Sequence, residues 1–348
     1  MDFSYSDEQR MLAESLAKLL GGHAGDAEDK AAANKLWQAS AEMGLIGLTV
    51  PEDHGGLSGS SVDVMVASIE MGRHIVSTPF LGTAVAGAGA IRLAGTTKQQ
   101  RAYLGPLAEG ALKIGCAFAE PGARYDLADV DTRATGNGDG FALTGQKCVV
   151  FGGDEADVFV VSARAPDAGR HGEAGISLFL VDAMAKGVTR AGYRLIDGRG
   201  AADVTFDNVT ASALLGKEGN GFATIEAVND LAAAAICAEA LGALEQVIAL
   251  TKEYLQTRKQ FGKAIGEFQA LQHYFADFLV DYEHIKSLVF EAGIMDGSPD
   301  IVARQQAVSA AKVVISQDGR RICQQAIQMH GGIGVTQEFQ LGDFVKRV

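Results

Sequence analysis

TRKQFGKAIGEFQALQHYFAD, residues 257–277, combines three basic residues, a Phe-Gly pair and an amphipathic pattern in one short stretch. Phe261, Ile265 and Phe268 suit the core stripe of a helix, and Arg258 and Lys259 suit its solvated face. The same residues also suit binding, because a guanidinium pairs well with phosphate and glycine lets a backbone approach a ligand closely. The rest of the chain decides between these two interpretations.

The chain divides into three zones with different residue patterns, and this stretch lies in the third zone. Residues 1–112 carry apolar residues at helical spacing, as in MLAESLAKLLGG, with Gly and Pro51 as punctuation. Residues 113–214 contain short β-rich runs separated by Gly, Asp and Asn, such as DVFVVSAR and GISLFLVDA. Residues 215–348 return to long Ala- and Leu-rich segments typical of an antiparallel bundle. The sequence predicts a helix–sheet–helix order, which doubly wound proteins and sandwiches do not have.

Length and composition limit the function classes. A chain of 348 residues is too long for one ordinary core, and 47% hydrophobic with 21% charged residues is typical of a folded globular protein. The formal net charge of −13 argues against nucleic-acid binding. The acidic N-terminus, MDFSYSDEQR, does not resemble a secretory signal, so we expect a cytoplasmic protein.

Neither a metal site nor a membrane span is expected. The four cysteines, at positions 116, 148, 237 and 323, are isolated and form no CxxC pair. The longest apolar stretch, LAAAAICAEALGALEQVIAL, contains Glu239 and Glu245 and is mostly alanine. We interpret it as a buried helix of a bundle.

Three further motifs are ambiguous when each is taken alone. AEPGARYD, residues 119–126, is a turn in which Asp126 is able to bond its own backbone two residues on. GKEGNGF, residues 216–222, matches neither a GxGxxG nor a P-loop pattern and suits a flexible lead-in to a helix. QMHGGIGVTQEF, residues 328–339, suits either a helix stop or a backbone that approaches a bulky ligand.

In their order and spacing, AEPGARYD, GQKCVVFGG, TRKQFGKAIGEFQALQHYFAD and QMHGGIGVTQEF resemble the acyl-CoA dehydrogenase family over essentially the whole chain. The resemblance implies an α+β multidomain fold. It consists of a helical N-terminal domain (1–112), a central β-barrel domain (113–214) and a C-terminal four-helix bundle (215–348).

The resemblance also implies FAD as the cofactor. In such proteins the arginine at Arg258 and the glutamine at Gln269 contact the ADP half of FAD bound to the neighbouring subunit, and the element from Gln328 to Gly332 lines the same region. The predicted cofactor-binding residues are Arg258, Gln260, Phe261, Gln269, Gln328, Met329, His330, Gly331 and Gly332.

The positions that contact the flavin ring in the family are altered. Ala119, Arg124 and Tyr125 replace parts of a TEPGAGSD element, and Val149 and Phe151 replace the Trp and Thr of a WIT element. A threonine hydroxyl, an indole and a second hydroxyl are missing. Since a neutral hydrogen bond contributes about 0.5–1.5 kcal/mol, these losses predict weaker retention of the ring.

No catalytic base is assigned. The family carboxylate usually lies in a YEGT-like segment just beyond FVKRV, and the alternative position in the first bundle helix holds Ala232. Glu338, Asp230 and Tyr125 are weaker candidates without a spacing argument.

The resemblance leaves two main hypotheses open. The first is an FAD-dependent acyl-CoA dehydrogenase that acts on an acyl thioester as a divergent subunit without the usual glutamate. The second is a non-catalytic, cofactor-completing partner in a heteromeric enzyme for bulky substrates such as steroid side chains. A related oxidase or monooxygenase is a third. The implied partners are an acyl-CoA, further subunits of the same family in a homo- or hetero-oligomer, and electron-transfer flavoprotein as the acceptor.

Overall fold

The computed structural model describes residues 4–22, 30–138 and 140–348. Within them, capping boxes begin the helices that start at Asp7, Ser61 and Thr97. In the first of these boxes, the Ser6 hydroxyl accepts from the Gln9 amide and the Gln9 side chain accepts from the Ser6 amide. The helices are α1 (Asp7–Gly21), α2 (Lys30–Glu42), α3 (Ser61–Arg73), α4 (Ala88–Ala94), α5 (Thr97–Ala108), α6 (Phe222–Thr257), α7 (Gln269–Met295), α8 (Ile301–Val314), α9 (Arg320–His330) and α10 (Leu341–Arg347).

Shorter helical turns connect some of these elements. π-Helical segments cover Leu81–Gly87 before α4 and Ile315–Gly319 between α8 and α9. 3₁₀ turns cover Glu52–His54, Ile265–Glu267 and Gly331–Val335.

Eight strands between α5 and α6 form one sheet in the order β6-β7-β3-β2-β4-β5-β8, with β1 paired parallel to β4. β4 and β5 are almost wholly buried, whereas β6, at one end of the order, is largely exposed. The strands are β1 (Ile114–Ala117), β2 (Arg133–Asn137), β3 (Gly140–Phe151), β4 (Val158–Arg164), β5 (Ile176–Asp182), β6 (Val188–Arg194), β7 (Gly200–Thr210) and β8 (Ala213–Leu215).

The chain forms two compact units, each with its own core. One unit comprises residues 1–26, 60–76 and 233–348, and the other comprises residues 27–59 and 77–232. In the second unit, the sheet core contains Phe159, Phe179 and Phe206. The predicted helix–sheet–helix order is confirmed, while the three-domain division at residues 112 and 214 stays a prediction.

In the first unit, α3 and α6 cross with their backbones in contact. A Cβ atom on Gly242 would lie 2.0 Å from the carbonyl oxygen of Ile69, and one on Gly72 would lie 1.9 Å from that of Glu239. Only glycine permits such an approach. The crossing therefore depends on both glycines.

α6 is long and apolar enough to cross a membrane by length and composition. However, 61% of its most apolar 18-residue window is buried inside the protein. Core residues such as Leu241 and Leu244 are fully buried. This burial is what a central core helix requires.

Candidate cofactor site

The stretch that begins at Thr257 is a helix end followed by a hairpin. β9 (Lys259–Gln260) pairs antiparallel with β10 (Lys263–Ala264), and Phe261 and Gly262 form the turn. Their φ angles of 54° and 82° are those of a type I′ turn, which needs positive φ at both central residues. Phe261 is 91% exposed at the tip. The interpretation of Phe261 as part of a helical core stripe is therefore wrong.

Contacts at the base of the hairpin hold its tip. The Phe261 ring meets the Phe268 ring edge to face at 6.1 Å, and Lys263 Nζ lies 4.3 Å from the Phe268 centroid. The Ile265 amide donates to the Arg258 carbonyl at 2.8 Å. The Arg258 side chain is exposed and makes no hydrogen bond or ion pair with any described residue. Its guanidinium is therefore available to an external anion.

The Gly-Gly element follows the end of α9. Gly331 has φ 65° and ψ −141°, a combination that side-chain-bearing residues avoid. A Cβ atom on Gly331 or Gly332 would meet nothing within 4 Å. The backbone here faces open space and is accessible to a bulky ligand.

His330 lies beneath this turn and not on its surface. It is 3% exposed, its ring stacks on Tyr254 at 4.5 Å, and its Nδ1 lies 2.8 Å from the Ala326 carbonyl oxygen. Burial lowers the pKa of His330, so the imidazole is neutral near pH 7. Because Tyr254 is one turn before Arg258, this stack brings the Gly-Gly turn to the same end of the bundle as the hairpin.

Seven of the nine predicted cofactor residues are exposed; Met329 is half-buried and His330 is buried. Gln269 begins α7 directly after the hairpin. A free guanidinium, exposed amides and open glycine backbone form a donor set that fits the pyrophosphate and adenosine of FAD. His330 packs under the turn. The individual residue roles stay predictions.

The altered loop at residues 119–126 has a fixed base and an exposed tip. Asp126 Oδ1 accepts from the Ala128 amide at 2.9 Å, as the turn pattern predicts. Arg124 has φ 56°, a value that favours glycine, and Tyr125 is 99% exposed. The tip therefore presents an arginine and a tyrosine.

A buried ion pair anchors this loop to β3. Lys147 Nζ lies 2.7 Å from Glu120 Oε1 and donates to Ser162 Oγ at 2.8 Å. Glu120 also accepts from the Asp131 amide at 2.6 Å and from the Thr132 hydroxyl at 2.6 Å. The side chains of Lys147 and Glu120 are 0% and 3% exposed.

The pair is charged at neutral pH. Burial alone would raise the pKa of Glu120, but the Lys147 ammonium and the hydrogen bonds lower it below its usual value. Burial lowers the pKa of Lys147 to about 8, although Glu120 opposes this change. This pair is not among the residues predicted from the sequence. A lysine within the apolar strand GQKCVVF was the available signal, since a buried lysine needs a partner.

Val149 and Phe151 on β3, which the resemblance aligns with ring-contacting positions, are 43% exposed and half-buried respectively. Neither side chain can form a hydrogen bond. Phe151 also lines a cleft with Pro79, Gly82 and Arg199, whose void is about 20 Å³. This volume holds about one water molecule and not an acyl chain.

The weaker base candidates lie in unlike environments. Asp230 is 8% exposed on α6, Glu338 is exposed beyond the Gly-Gly turn, and Ala232 is half-buried on α6. No group of three or more His, Cys, Asp or Glu side chains within the described ranges could hold a metal. The catalytic base stays unassigned.

Family models for the acyl-CoA dehydrogenase N-terminal, middle and C-terminal domains match residues 6–111, 115–209 and 219–348. The chain belongs to the acyl-CoA dehydrogenase family. This assignment confirms the predicted fold class, and FAD is the cofactor of the family.

Three similar proteins cover most of the chain. The Caffeyl-CoA reductase-Etf complex subunit CarC of Acetobacterium woodii is 30% identical over 86% of this chain and 80% of its own length. Butyryl-CoA dehydrogenase from Megasphaera elsdenii has a TM-score of 0.91 at 26% identity and covers 100% of this chain and 94% of its own. The structure described as "Tcur3481-Tcur3483 steroid ACAD G363A variant" has a TM-score of 0.86 at 29% identity and covers 98% and 91%.

Proposed function

We propose that this acyl-CoA dehydrogenase family member is a divergent subunit of an oligomeric, FAD-dependent enzyme that oxidises an acyl-CoA thioester between its α and β carbons. In this assembly the chain contributes the hairpin and the Gly-Gly turn to the ADP half of a flavin that is shared with a neighbouring subunit. The observation that carries the proposal is the difference between this intact ADP side and an altered ring side.

The ADP side supports the proposal through its exposed chemistry. The Arg258 guanidinium has no partner among the described residues, and Phe261 is held 91% exposed at the tip of a tight turn. Exposure of such an aromatic ring does not stabilise this chain by itself. A bound nucleotide or a neighbouring subunit would cover it, and the guanidinium would pair with the pyrophosphate.

The altered residues on the flavin-ring side support the proposal that this subunit is divergent. Ala119, Val149 and Phe151 offer no hydroxyl to a ring, and the alternative base position in α6 is Ala232. When bound, FAD supplies the acceptor for the β-hydride, while a carboxylate takes the α-proton. This chain's described residues would bind and orient the cofactor rather than move that proton.

The second candidate is a heteromeric enzyme in which this chain completes the cofactor site and a homologous subunit carries the base. The similarity to the "Tcur3481-Tcur3483 steroid ACAD" favours it, as do the altered ring contacts. In this version the substrate carries a bulky acyl group. Ala232 and Ala233 in α6 are half-buried and occupy little side-chain volume, which suits a bulky acyl group, whereas Ala234 and Ala235 are packed in the core. A short linear acyl-CoA that raises the melting temperature and bleaches the flavin, where a bulky one does neither, contradicts this substrate class.

We also propose electron-transfer flavoprotein as the electron acceptor and the cytoplasm as the location. The first proposal is supported by the relative from the caffeyl-CoA reductase-Etf complex. Reoxidation of the reduced enzyme by added electron-transfer flavoprotein tests the acceptor.

The deciding experiment is the visible absorption spectrum of the purified protein, scaled to protein concentration. The chain is produced alone and together with a homologous subunit that carries a catalytic glutamate. Little FAD alone and near-stoichiometric FAD after co-expression supports the heteromeric version, whereas one FAD per chain alone supports the homo-oligomer. Absence of FAD from both preparations overturns the proposed function.

Arg258→Met tests the shared site directly, with the exposed Arg320→Met as the matched control. Since a hydrogen bond to a charged group contributes about 1.5–3 kcal/mol, we expect FAD to bind roughly 10- to 100-fold more weakly to the Arg258 variant. Equal FAD affinity in the two variants refutes a role for Arg258.

A further inference from the structure

β3 contains an irregularity directly before its ring-facing end. Lys147 pairs with Val204 and Val150 pairs with Ala202 on β7, so Cys148 and Val149 lie opposite Asp203 alone. This arrangement is a β-bulge, which re-aims side chains and is common next to active sites.

Val149 has a backbone conformation that is unusual for its residue type. Its φ is 51°, in the left-handed region that a β-branched side chain rarely adopts. Such a conformation persists only where the surroundings hold it. The contacts around the bulge must therefore provide that hold.

Two hydrogen bonds hold the bulge from opposite sides. Asp203 Oδ1 accepts the Val149 N–H at 3.0 Å, and the Cys148 N–H donates to the Ala119 carbonyl at 2.9 Å. Asp203 is itself oriented by a third strand, because the Tyr193 hydroxyl on β6 donates to the same oxygen at 2.8 Å. The bulge is thus joined to the 119–126 loop, to β7 and to β6.

We propose that Asp203, oriented by Tyr193, is a positioning residue that holds the Val149 bulge in the shape that faces the flavin ring. The proposal rests on the proposed function for its link to FAD. The ring side has lost hydroxyl side chains, so its remaining contribution is the shape of the backbone. Asp203 and Tyr193 preserve that shape although neither lies in a recognised motif.

Partial burial raises the pKa of Tyr193 to about 12, and the neighbouring Asp203 carboxylate adds to this effect. The phenol therefore stays protonated and remains a donor throughout the neutral range. Titration of Tyr193 therefore does not change its hydrogen bond to Asp203 between pH 6 and 8.

The half-exposed Cys148 thiol reports on the bulge without any cofactor. Burial raises the pKa of this thiol, and the Asp203 carboxylate raises it further. Removing that charge would by itself increase thiol reactivity. Asp203→Asn and Asp203→Ala both remove the charge, but only Ala removes the acceptor, so their comparison isolates the hydrogen bonds.

The experiment measures the rate of Cys148 alkylation by iodoacetamide, located by peptide mass spectrometry, and the visible spectrum of the FAD-loaded assembly. We expect Asp203→Ala to react roughly two- to tenfold faster than Asp203→Asn, the factor that one lost hydrogen bond implies. We also expect Asp203→Ala to shift the flavin absorption bands, with Asn restoring them. Tyr193→Phe keeps the Asp203 charge and should react faster than the unsubstituted protein but more slowly than Asp203→Ala, and the exposed Asp207→Ala should match the unsubstituted protein.

Equal alkylation rates for the Ala and Asn variants overturn the proposed hold on the bulge. A faster rate with an unchanged flavin spectrum overturns the link to the ring. If the unsubstituted assembly takes up no FAD, the proposed function fails, while the alkylation rates still decide whether Asp203 holds the bulge.

Discussion

Replacing Lys147 with methionine leaves the Glu120 carboxylate buried without its cation. The ammonium lies 2.7 Å from Glu120 Oε1, and both side chains are almost completely inaccessible to solvent. Methionine has a similar length and keeps the packing of the strand, so the substitution removes mainly the charge and its hydrogen bonds.

Removing one partner of a buried ion pair costs about 3–5 kcal/mol. Glu120 keeps the hydrogen bonds from the Asp131 amide and from the Thr132 amide and hydroxyl. We therefore expect the lower end, about 3 kcal/mol at pH 7.5. Adding Glu120→Gln to Lys147→Met should recover part of the loss, because no charge then remains buried.

The contribution of Glu120 to the pH dependence of stability should have the opposite sign in the variant and in the unsubstituted protein. With Lys147 present, the pKa of Glu120 is lowered, so its contribution to stability is complete above the unfolded value of about 4.3 and is lost as the pH falls through the folded value. Without Lys147, burial remains the largest influence on Glu120, so we expect its pKa to rise above the unfolded value, although the hydrogen bonds that Glu120 keeps act in the opposite direction. The variant then loses stability as the pH rises through the folded value, and its deficit is larger at pH 7.5 than at pH 5.

The assay is urea unfolding followed by tryptophan fluorescence. Trp37 is the single tryptophan, is buried in the same unit as the pair, and donates to the Gly110 carbonyl at 2.8 Å. Lys186→Met, on the exposed connection between β5 and β6, is the matched control. A Lys147→Met deficit below about 1 kcal/mol, or one that does not change between pH 5 and 7.5, refutes the reasoning.

Two further predictions concern glycines in the first unit, and both are measured as changes in the free energy of unfolding. Gly331→Ala should lower stability by about 1–3 kcal/mol because its φ and ψ suit only glycine, whereas Gly332→Ala should be neutral; equal effects would contradict the strain argument. Gly242→Ala should cost at least about 3 kcal/mol because its Cβ would lie 2.0 Å from the Ile69 carbonyl oxygen. Gly342→Ala in α10, where a Cβ meets nothing within 4 Å, should stabilise by about 0.4–1 kcal/mol, and a loss comparable to that of Gly242→Ala would count against the crossing.

Local sequence patterns predicted the order of elements well. The runs DVFVVSAR and GISLFLVDA contain β4 and β5, since alternating or β-rich runs between turn residues encode strands within a few residues. The Asx turn at Asp126 is equally local. The family motifs also predicted that the stretches forming the hairpin and the Gly-Gly turn bind the cofactor, and this role stays a prediction.

The tip of the hairpin marks where local patterns mislead. Phe261, Ile265 and Phe268 have helical spacing, but Phe261 and Gly262 adopt positive φ and form a turn. Helical spacing alone does not distinguish a core stripe from an aromatic residue that is exposed at the tip of a turn.

The sequence by itself determined the helix–sheet–helix order of the chain and its family, because both depend on residues that are close together in the chain. Only the tertiary structure brought Lys147 to Glu120, 27 residues away, and Asp203 to Val149, 54 residues away. These contacts depend on strand order and register. A different order or register would give each side chain different neighbours without changing the local pattern of the sequence. The supports of Glu120 and Val149 were therefore visible only in the folded structure.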